Sequence, residues 1–261
     1  MKSTAPDHPW LFFALIYGLS APFWILSTQL THSGLPDNLP VTDIGAALTP
    51  TIAAVILRHR EAGAGGVRAL LNRTFDFRRI KDKCWLVYAV LIFPLLYLVT
   101  YLAMRVVPNA VSTTWNPSPA LFGFFLMFFV AAAAEELGYS AYETDALQSR
   151  MTALNAAFVM GPLWALWALW HLPSMIVMAQ STELILWGLL ATVAVRILSV
   201  WIYIKAGASA FAVILMHAVA NTSRTGYPGG RSGYELNNGS IACSIIIAFT
   251  AIVVVCWRPP R

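Results

Sequence analysis

Apolar runs close to the length of a membrane-spanning helix recur along the whole chain, and they constrain the fold more than any other feature. Hydrophobic residues make up 58% of the sequence and charged residues 11%, against about 25% charged residues in a soluble domain. The sequence therefore predicts an all-α, polytopic membrane bundle of about eight transmembrane helices, in which residues 1–261 form a single domain. The predicted spans are approximately Trp10–Leu26, Ile44–Leu57, Trp85–Met104, Leu121–Ala141, Phe158–Ala179, Leu184–Ile204, Ala208–Ala220 and Ile241–Trp257.

The basic residues are concentrated on one side of this predicted bundle. The segment Arg58–Lys83, between the second and third spans, contains eight Lys or Arg residues and three Asp or Glu residues. If successive spans alternate in direction, about thirteen basic residues lie on the side of this segment and three on the other. Short loops rich in Lys and Arg stay in the cytoplasm. We therefore predict that this segment and both the N- and C-termini are cytoplasmic, in the plasma membrane.

The net charge of +5 follows from this loop pattern, so membrane lipids rather than nucleic acid are the expected partners. Within Arg58–Lys83, apolar residues alternate with arginines, as they do in a helix that lies on an anionic lipid surface. A solvated positive loop explains the same pattern. The apolar residues are Val67, Leu70, Leu71, Phe75 and Phe77.

Glu135 and Glu136 follow a long apolar run at the end of the fourth predicted span. A charged group at membrane depth costs about 3 kcal/mol or more, so such residues are functional candidates. Adjacent side chains on a helix point about 100° apart, and the two carboxylates therefore cannot serve one water molecule equally. We expect one to act and the other to support it. The alternative is a pair of ordinary helix-end charges.

Two further spans carry polar side chains within apolar sequence. His171 lies in the fifth span, with Trp167 one helical turn before it, and His217 and Asn221 share one face of the seventh. Each has an ordinary explanation, because a histidine can donate to a backbone carbonyl and polar side chains can join two helices. A pocket shared with the two glutamates would satisfy all of them together. We adopt this second interpretation.

Arg196 is the remaining charge within an apolar span. It needs a counter-ion or a route by which its head can reach the interface. A carboxylate of the fourth span is the expected partner.

Three segments that carry these residues, EELGYSAY, WALWHLP and HAVAN, give the chain a family resemblance. It resembles the CPBP membrane proteins, which include the type 2 CAAX prenyl endopeptidases, or Rce1-like intramembrane glutamic proteases, and related bacteriocin-immunity proteins. That family shows a double glutamate followed by an arginine, an aromatic residue four before a histidine, and a histidine four before an asparagine. The resemblance covers roughly residues 120–223. Where the glutamate motif ends in arginine, this chain has Ser140.

The resemblance implies a bundle of about eight helices with an active site that opens toward the cytoplasm. It implies a metal-independent endopeptidase, without a cofactor, that cleaves a membrane-anchored peptide or protein substrate, prenylated or not. Glu135 would then be the general base, with Glu136 as its support and His171 orienting the same water. His217 and Asn221 would donate hydrogen bonds to the oxyanion.

Three other functions remain open at the level of sequence. The same fold is found in non-catalytic immunity or partner proteins, and Ser140 in place of arginine is compatible with that class. Two histidines and a glutamate are also a zinc-ligand set, as in thermolysin-type proteases, although the chain has no H-E-x-x-H motif. Buried carboxylates and histidines also form proton relays in small transporters, but no repeat relates the two halves of the chain.

Overall fold

The computed structural model describes residues 8–30, 41–106, 118–168, 182–227 and 236–257, and these residues are almost entirely helical, with no strand among them. Two short 3-10 turns, Asn72–Phe75 and Phe77–Arg79, follow the second helix. A π-helical segment, Tyr139–Thr144, joins the fourth helix to the fifth. The helices are α1 Pro9–Leu30, α2 Val41–Leu71, α3 Cys84–Arg105, α4 Ala120–Gly138, α5 Asp145–Gln148, α6 Ala153–Ala168, α7 Thr182–Lys205, α8 Ala210–Gly226 and α9 Leu236–Val255.

The prediction of an all-α membrane helix bundle is confirmed. Within the described part of the chain, four helical segments are long and apolar enough to cross a bilayer, namely Pro9–Leu26, Cys84–Arg105, Ala120–Gln148 and Ile185–Lys205. Two shorter ones, Ala153–Ala168 and Ser240–Val255, are equally apolar in character. Large apolar side chains such as Phe122 and Val130 are mostly exposed on the outside of the bundle, as lipid-facing side chains are. The cytoplasmic orientation of the termini stays a prediction.

The fourth span is longer than the sequence predicted. Its helix runs from Ala120 through the π segment and α5 to Gln148, 29 residues in all, whereas the apolar run indicated an end near Ala141. At 1.5 Å per residue, Glu136 lies about 18 Å from the Gln148 end. The two glutamates are therefore deep within the helix and are not charges at its end.

Close packing of α2 against α4 surrounds this deep position. A Cβ at Gly138 would collide with the backbone carbonyl of Pro50, so only glycine allows the two helices to approach this closely here. One turn away, the Thr51 hydroxyl donates to the Ala134 carbonyl at 2.5 Å. α4 also packs along α8, and α6 packs along α7. The polar residues of α4 are thereby enclosed by α2, α7 and α8.

The turn between α7 and α8 fixes where α8 begins. Gly207 has a φ of 73° and lies so near the Arg79 carbonyl that a Cβ would stand 2.6 Å from its oxygen. Ser209 is the N-cap of α8, and its hydroxyl accepts a hydrogen bond from the Ala212 N–H. Since α8 starts at Ala210, His217 lies about 10 Å along it. This depth brings His217 level with the glutamates of α4.

Candidate active site

Glu136 is at the centre of a buried polar cluster built from three helices. Arg196 of α7 binds its carboxylate in a bidentate pair, with Nη1–Oε2 at 2.8 Å and Nη2–Oε1 at 2.9 Å. Nδ1 of His217, on α8, lies 2.9 Å from Oε1. The Ser140 hydroxyl donates to Oε2 at 2.5 Å. Both carboxylate oxygens are therefore fully engaged, which offsets the cost of burying the charge.

The tautomer of His217 follows from this contact. An ionised carboxylate only accepts hydrogen bonds, so the proton lies on Nδ1 and points at Glu136. Nε2 is then the nitrogen left to face the remainder of the site. The indole of Trp164 packs edge-on against the imidazole, with ring centroids 6.0 Å apart, and holds the ring plane.

Arg196 is enclosed by aromatic rings as well as paired. Its guanidinium carbon is 4.1 Å from the centroid of Trp164 and 4.9 Å from that of Tyr139. The whole side chain is inaccessible to solvent. Cation–π contacts of this kind stabilise a desolvated guanidinium. The expectation that a carboxylate of the fourth span pairs with Arg196 is confirmed, and the carboxylate is that of Glu136.

Glu135 differs sharply from its neighbour. It is partly exposed, and no ion pair shorter than 4 Å joins its carboxylate to another of the described residues. It lies within electrostatic range of His217 and Arg196 and close to the indole of Trp164. Nε1 of Trp164 is buried and forms no hydrogen bond of good geometry with any described residue. The carboxylate of Glu136 is thus held on every side, whereas Glu135 lacks a comparable set of partners among the residues that the structure describes.

The structure places the other predicted site residues as follows. Asn221 is half-buried on α8, one turn beyond His217, and it is not among the described residues that form hydrogen bonds with Glu136. His171 lies outside the described residues. Trp167, one turn before it, is buried, and its indole donates to the Ser20 hydroxyl at 2.9 Å. The segment that leads to His171 is therefore anchored against α1.

Sequence reasoning missed two aromatic residues of the cluster, Tyr139 and Trp164. A helical spacing could have identified both, because Tyr139 lies three residues after Glu136 and Trp164 lies three residues before Trp167 on the same helix. The sequence marks Ser140 only as a departure from the family motif. In the structure, its hydroxyl donates a hydrogen bond to the carboxylate of Glu136.

The sequence leaves open a zinc site made of two histidines and a glutamate. Over the described ranges, no group of three His, Cys, Asp or Glu side chains is arranged to hold a metal ion. His171, which the zinc alternative requires, lies outside those ranges. The expectation of a metal-independent site therefore stays a prediction.

Comparison with known proteins finds similarity over the segments that form this cluster. The family described as Type II CAAX prenyl endopeptidase Rce1-like matches residues 115–223, a range that holds all five predicted site residues. The chain is also similar to the CAAX prenyl protease 2 of Methanococcus maripaludis, with 24% identity over 244 residues that cover 86% of each chain. The family resemblance predicted from the three motifs is confirmed.

Proposed function

Starting from the match to the Rce1-like family of CAAX proteases, we propose that this protein is a metal-independent intramembrane glutamic endopeptidase. Its substrate would be a membrane-anchored peptide or protein, prenylated or not. The observation that supports this most is the difference between the two adjacent glutamates. The carboxylate of Glu136 is bound by Arg196, His217 and Ser140, whereas Glu135 is partly exposed and forms no ion pair shorter than 4 Å with a described residue.

In this mechanism Glu135 is the general base. It accepts a proton from a water molecule while the water oxygen bonds to the carbonyl carbon of the scissile peptide. The carbonyl electron pair moves onto its oxygen and forms a tetrahedral oxyanion. When the intermediate collapses, the C–N bond breaks and the proton held by Glu135 passes to the leaving amine. His171 would orient the attacking water, as the family resemblance implies.

His217 and Asn221 would stabilise the oxyanion. Because Nδ1 of His217 donates to Glu136, the ring can donate to an oxyanion only through a protonated Nε2. Glu136 would then support an imidazolium, as well as setting the orientation of the ring. The Asn221 side chain, one turn further along the same face of α8, would supply the second donor.

The depth of the cluster favours access from the cytoplasm. Asp145, which binds Arg73 of the basic Arg58–Lys83 segment, lies about 13 Å along the helix from Glu136, and the start of α8, beside the same arginine, lies about 10 Å from His217. That segment is the one predicted to be cytoplasmic. Water would therefore reach Glu135 from the cytoplasmic side of the plasma membrane, while the substrate remains in contact with membrane lipids.

The decisive test is the Glu135→Gln variant. Purified wild type and variant would be assayed on a prenylated and an unmodified transmembrane peptide. Glutamine keeps the size of the side chain but cannot accept the proton, so hydrolysis should fall by about two orders of magnitude or more. Thermal unfolding should barely change. A variant that cleaves as fast as the wild type would end the proposal.

Glu143 provides a matched control on the same continuous helix. Both of its carboxylate oxygens are buried and have no hydrogen-bond partner among the residues that the structure describes. Glu143→Gln should retain hydrolysis close to the wild-type rate. The non-catalytic alternative predicts the opposite pattern for position 135, namely that glutamine is adequate and that alanine destabilises the protein by about 1–3 kcal/mol.

A further inference from the structure

Position 140 and position 196 reach the same carboxylate from two different helices. Ser140 lies one turn after Glu136, and its hydroxyl is 2.5 Å from Oε2. Arg196 reaches both oxygens of that carboxylate from α7, 60 residues further along the chain. A small side chain at 140 therefore leaves room for a cation that arrives from the side.

The surroundings of Arg196 exclude a purely incidental ion pair. The side chains of Arg196 and Glu136 are both completely buried, and the rings of Trp164 and Tyr139 lie 4.1 Å and 4.9 Å from the guanidinium. A planar guanidinium fixes the rotation of a carboxylate that it binds through two parallel hydrogen bonds. That rotation in turn determines where Oε1 lies, and Oε1 is the atom that binds Nδ1 of His217.

We infer that Arg196 is a positioning residue of the site, which orients the His217 imidazole through Glu136 and supplies the cation that Ser140 does not. This inference rests on the proposed function, since it assigns a role within that site. Arg196 itself would contact neither the attacking water nor the substrate. It acts only by holding Glu136.

The inference predicts a specific pattern of kinetics. Arg196→Lys keeps the charge but loses the bidentate geometry, so kcat should fall by about tenfold or more while KM stays nearly constant. In Arg196→Ala, kcat should fall further than in Arg196→Lys. Arg78→Ala is the matched control, because Arg78 is an exposed arginine distant in sequence from the cluster, and it should leave both constants unchanged.

Moving the cation provides the sharpest experiment. The double variant Ser140→Arg with Arg196→Ala places the arginine one turn from Glu136 and frees space for it, so it should recover part of the kcat lost in Arg196→Ala. Ser140→Arg alone should lose activity, because two cations would then share one buried carboxylate. If Ser140→Arg gives the same loss with and without Arg196, the inference is wrong.

A spectroscopic measurement separates this inference from the proposed function. In protein labelled with ¹⁵N-histidine, the Nδ1–H of His217 should give a downfield proton signal that His217→Gln identifies. Arg196→Lys should shift or broaden that signal, and Arg78→Ala should not. An unchanged signal in folded Arg196→Lys would overturn the inference, even if the wild type hydrolyses peptides. An inactive wild type whose signal does respond to Arg196→Lys would overturn the proposed function alone.

Discussion

Two arginines organise polar networks in this protein, and the networks differ in redundancy. Arg196 is completely buried, and over the described ranges its ion pair is with Glu136. Arg73 lies in the 3-10 turn after α2 and binds several acceptors at once. Its Nη1 donates to the Ala141 carbonyl and to Asp145, both at 2.8 Å. Its Nη2 donates to the Tyr203 hydroxyl at 2.6 Å and to the Ala208 carbonyl at 2.5 Å, and its Nε donates to Asp76 at 3.3 Å.

The partners of Arg73 come from the π segment, α5, α7 and the turn before α8. One side chain therefore fastens the ends of the helices that carry the site. Because neutral carbonyls supply part of the binding, the loss of any one partner leaves the others in place. The guanidinium of Arg196 instead forms its hydrogen bonds to a single carboxylate, as far as the described residues show. The Arg73 network, with its several acceptors, stabilises the packing of the helix ends. The Arg196 cluster, with one carboxylate at its centre, fixes the positions of individual side chains in the candidate site.

Arg73 also stays protonated over the whole ordinary pH range. Burial acts to lower the pKa of Arg73, but the charges and hydrogen bonds of Tyr203 and Asp145 outweigh it and raise that pKa above the usual arginine range. A group whose pKa is raised in the folded state stabilises the protein fully when the pH is below the unfolded-state pKa. This stabilisation is lost only as the pH rises through the folded-state pKa. Both values are far above neutrality, so deprotonation of Arg73 should not affect stability at any ordinary pH.

The largest effect is expected for Glu136→Gln. The amide cannot neutralise Arg196, and a buried charge that loses its partner costs about 3–5 kcal/mol. Thermal unfolding in detergent should show a lowered transition temperature, and hydrolysis should fall with it because His217 loses its acceptor. If the transition temperature of Glu136→Gln equals that of the wild type, the Arg196 cluster tolerates the loss of a partner as well as the Arg73 network does.

A smaller effect is expected for Asp145→Asn. This change removes the charge partner of Arg73 Nη1, while the Ala141 and Ala208 carbonyls and Asp76 remain. Asp145 is about one-third exposed, so solvent screens part of the loss. The free energy of unfolding should decrease by about 1–2 kcal/mol. Hydrolysis per folded molecule should stay at the wild-type level, and a large loss of kcat would show that this network also sets the site.

The smallest effect is expected for Ser209→Ala at the start of α8. The hydroxyl accepts from the Ala212 N–H and donates to Asp76 at 2.7 Å, so its removal costs a helix cap, about 1 kcal/mol. Ser209→Thr, which keeps the hydroxyl, is the control. Denaturant unfolding would measure the difference, and peptide hydrolysis at 25 °C should be the same in both variants. If kcat falls in the alanine variant only, the position of His217 depends on this cap.

The sequence determined the architecture because its signals are local. Apolar runs near membrane-spanning length form helices whatever they contact, since a bilayer leaves no other way to satisfy the backbone. The residues that carry chemistry were likewise identifiable, because polar groups in apolar helices are costly and few. Arg196 was expected to need a carboxylate of the fourth span, and it has one. The orientation of the termini and the role of His171 stay predictions.

Only the tertiary structure decided which of the two glutamates Arg196 and His217 bind. α4 is apolar on all sides before Glu135, so no periodicity in its sequence tells which face turns toward α7 and α8. The partners that select Glu136 lie 60 and 81 residues further along the chain and meet it only through helix packing. The same packing gave Ser140 its contact with Glu136, and it joined Arg73 to helix ends that are 72 and 130 residues away in sequence. Composition along one helix fixes its depth in the membrane, but its rotation depends on neighbours that the local sequence does not specify.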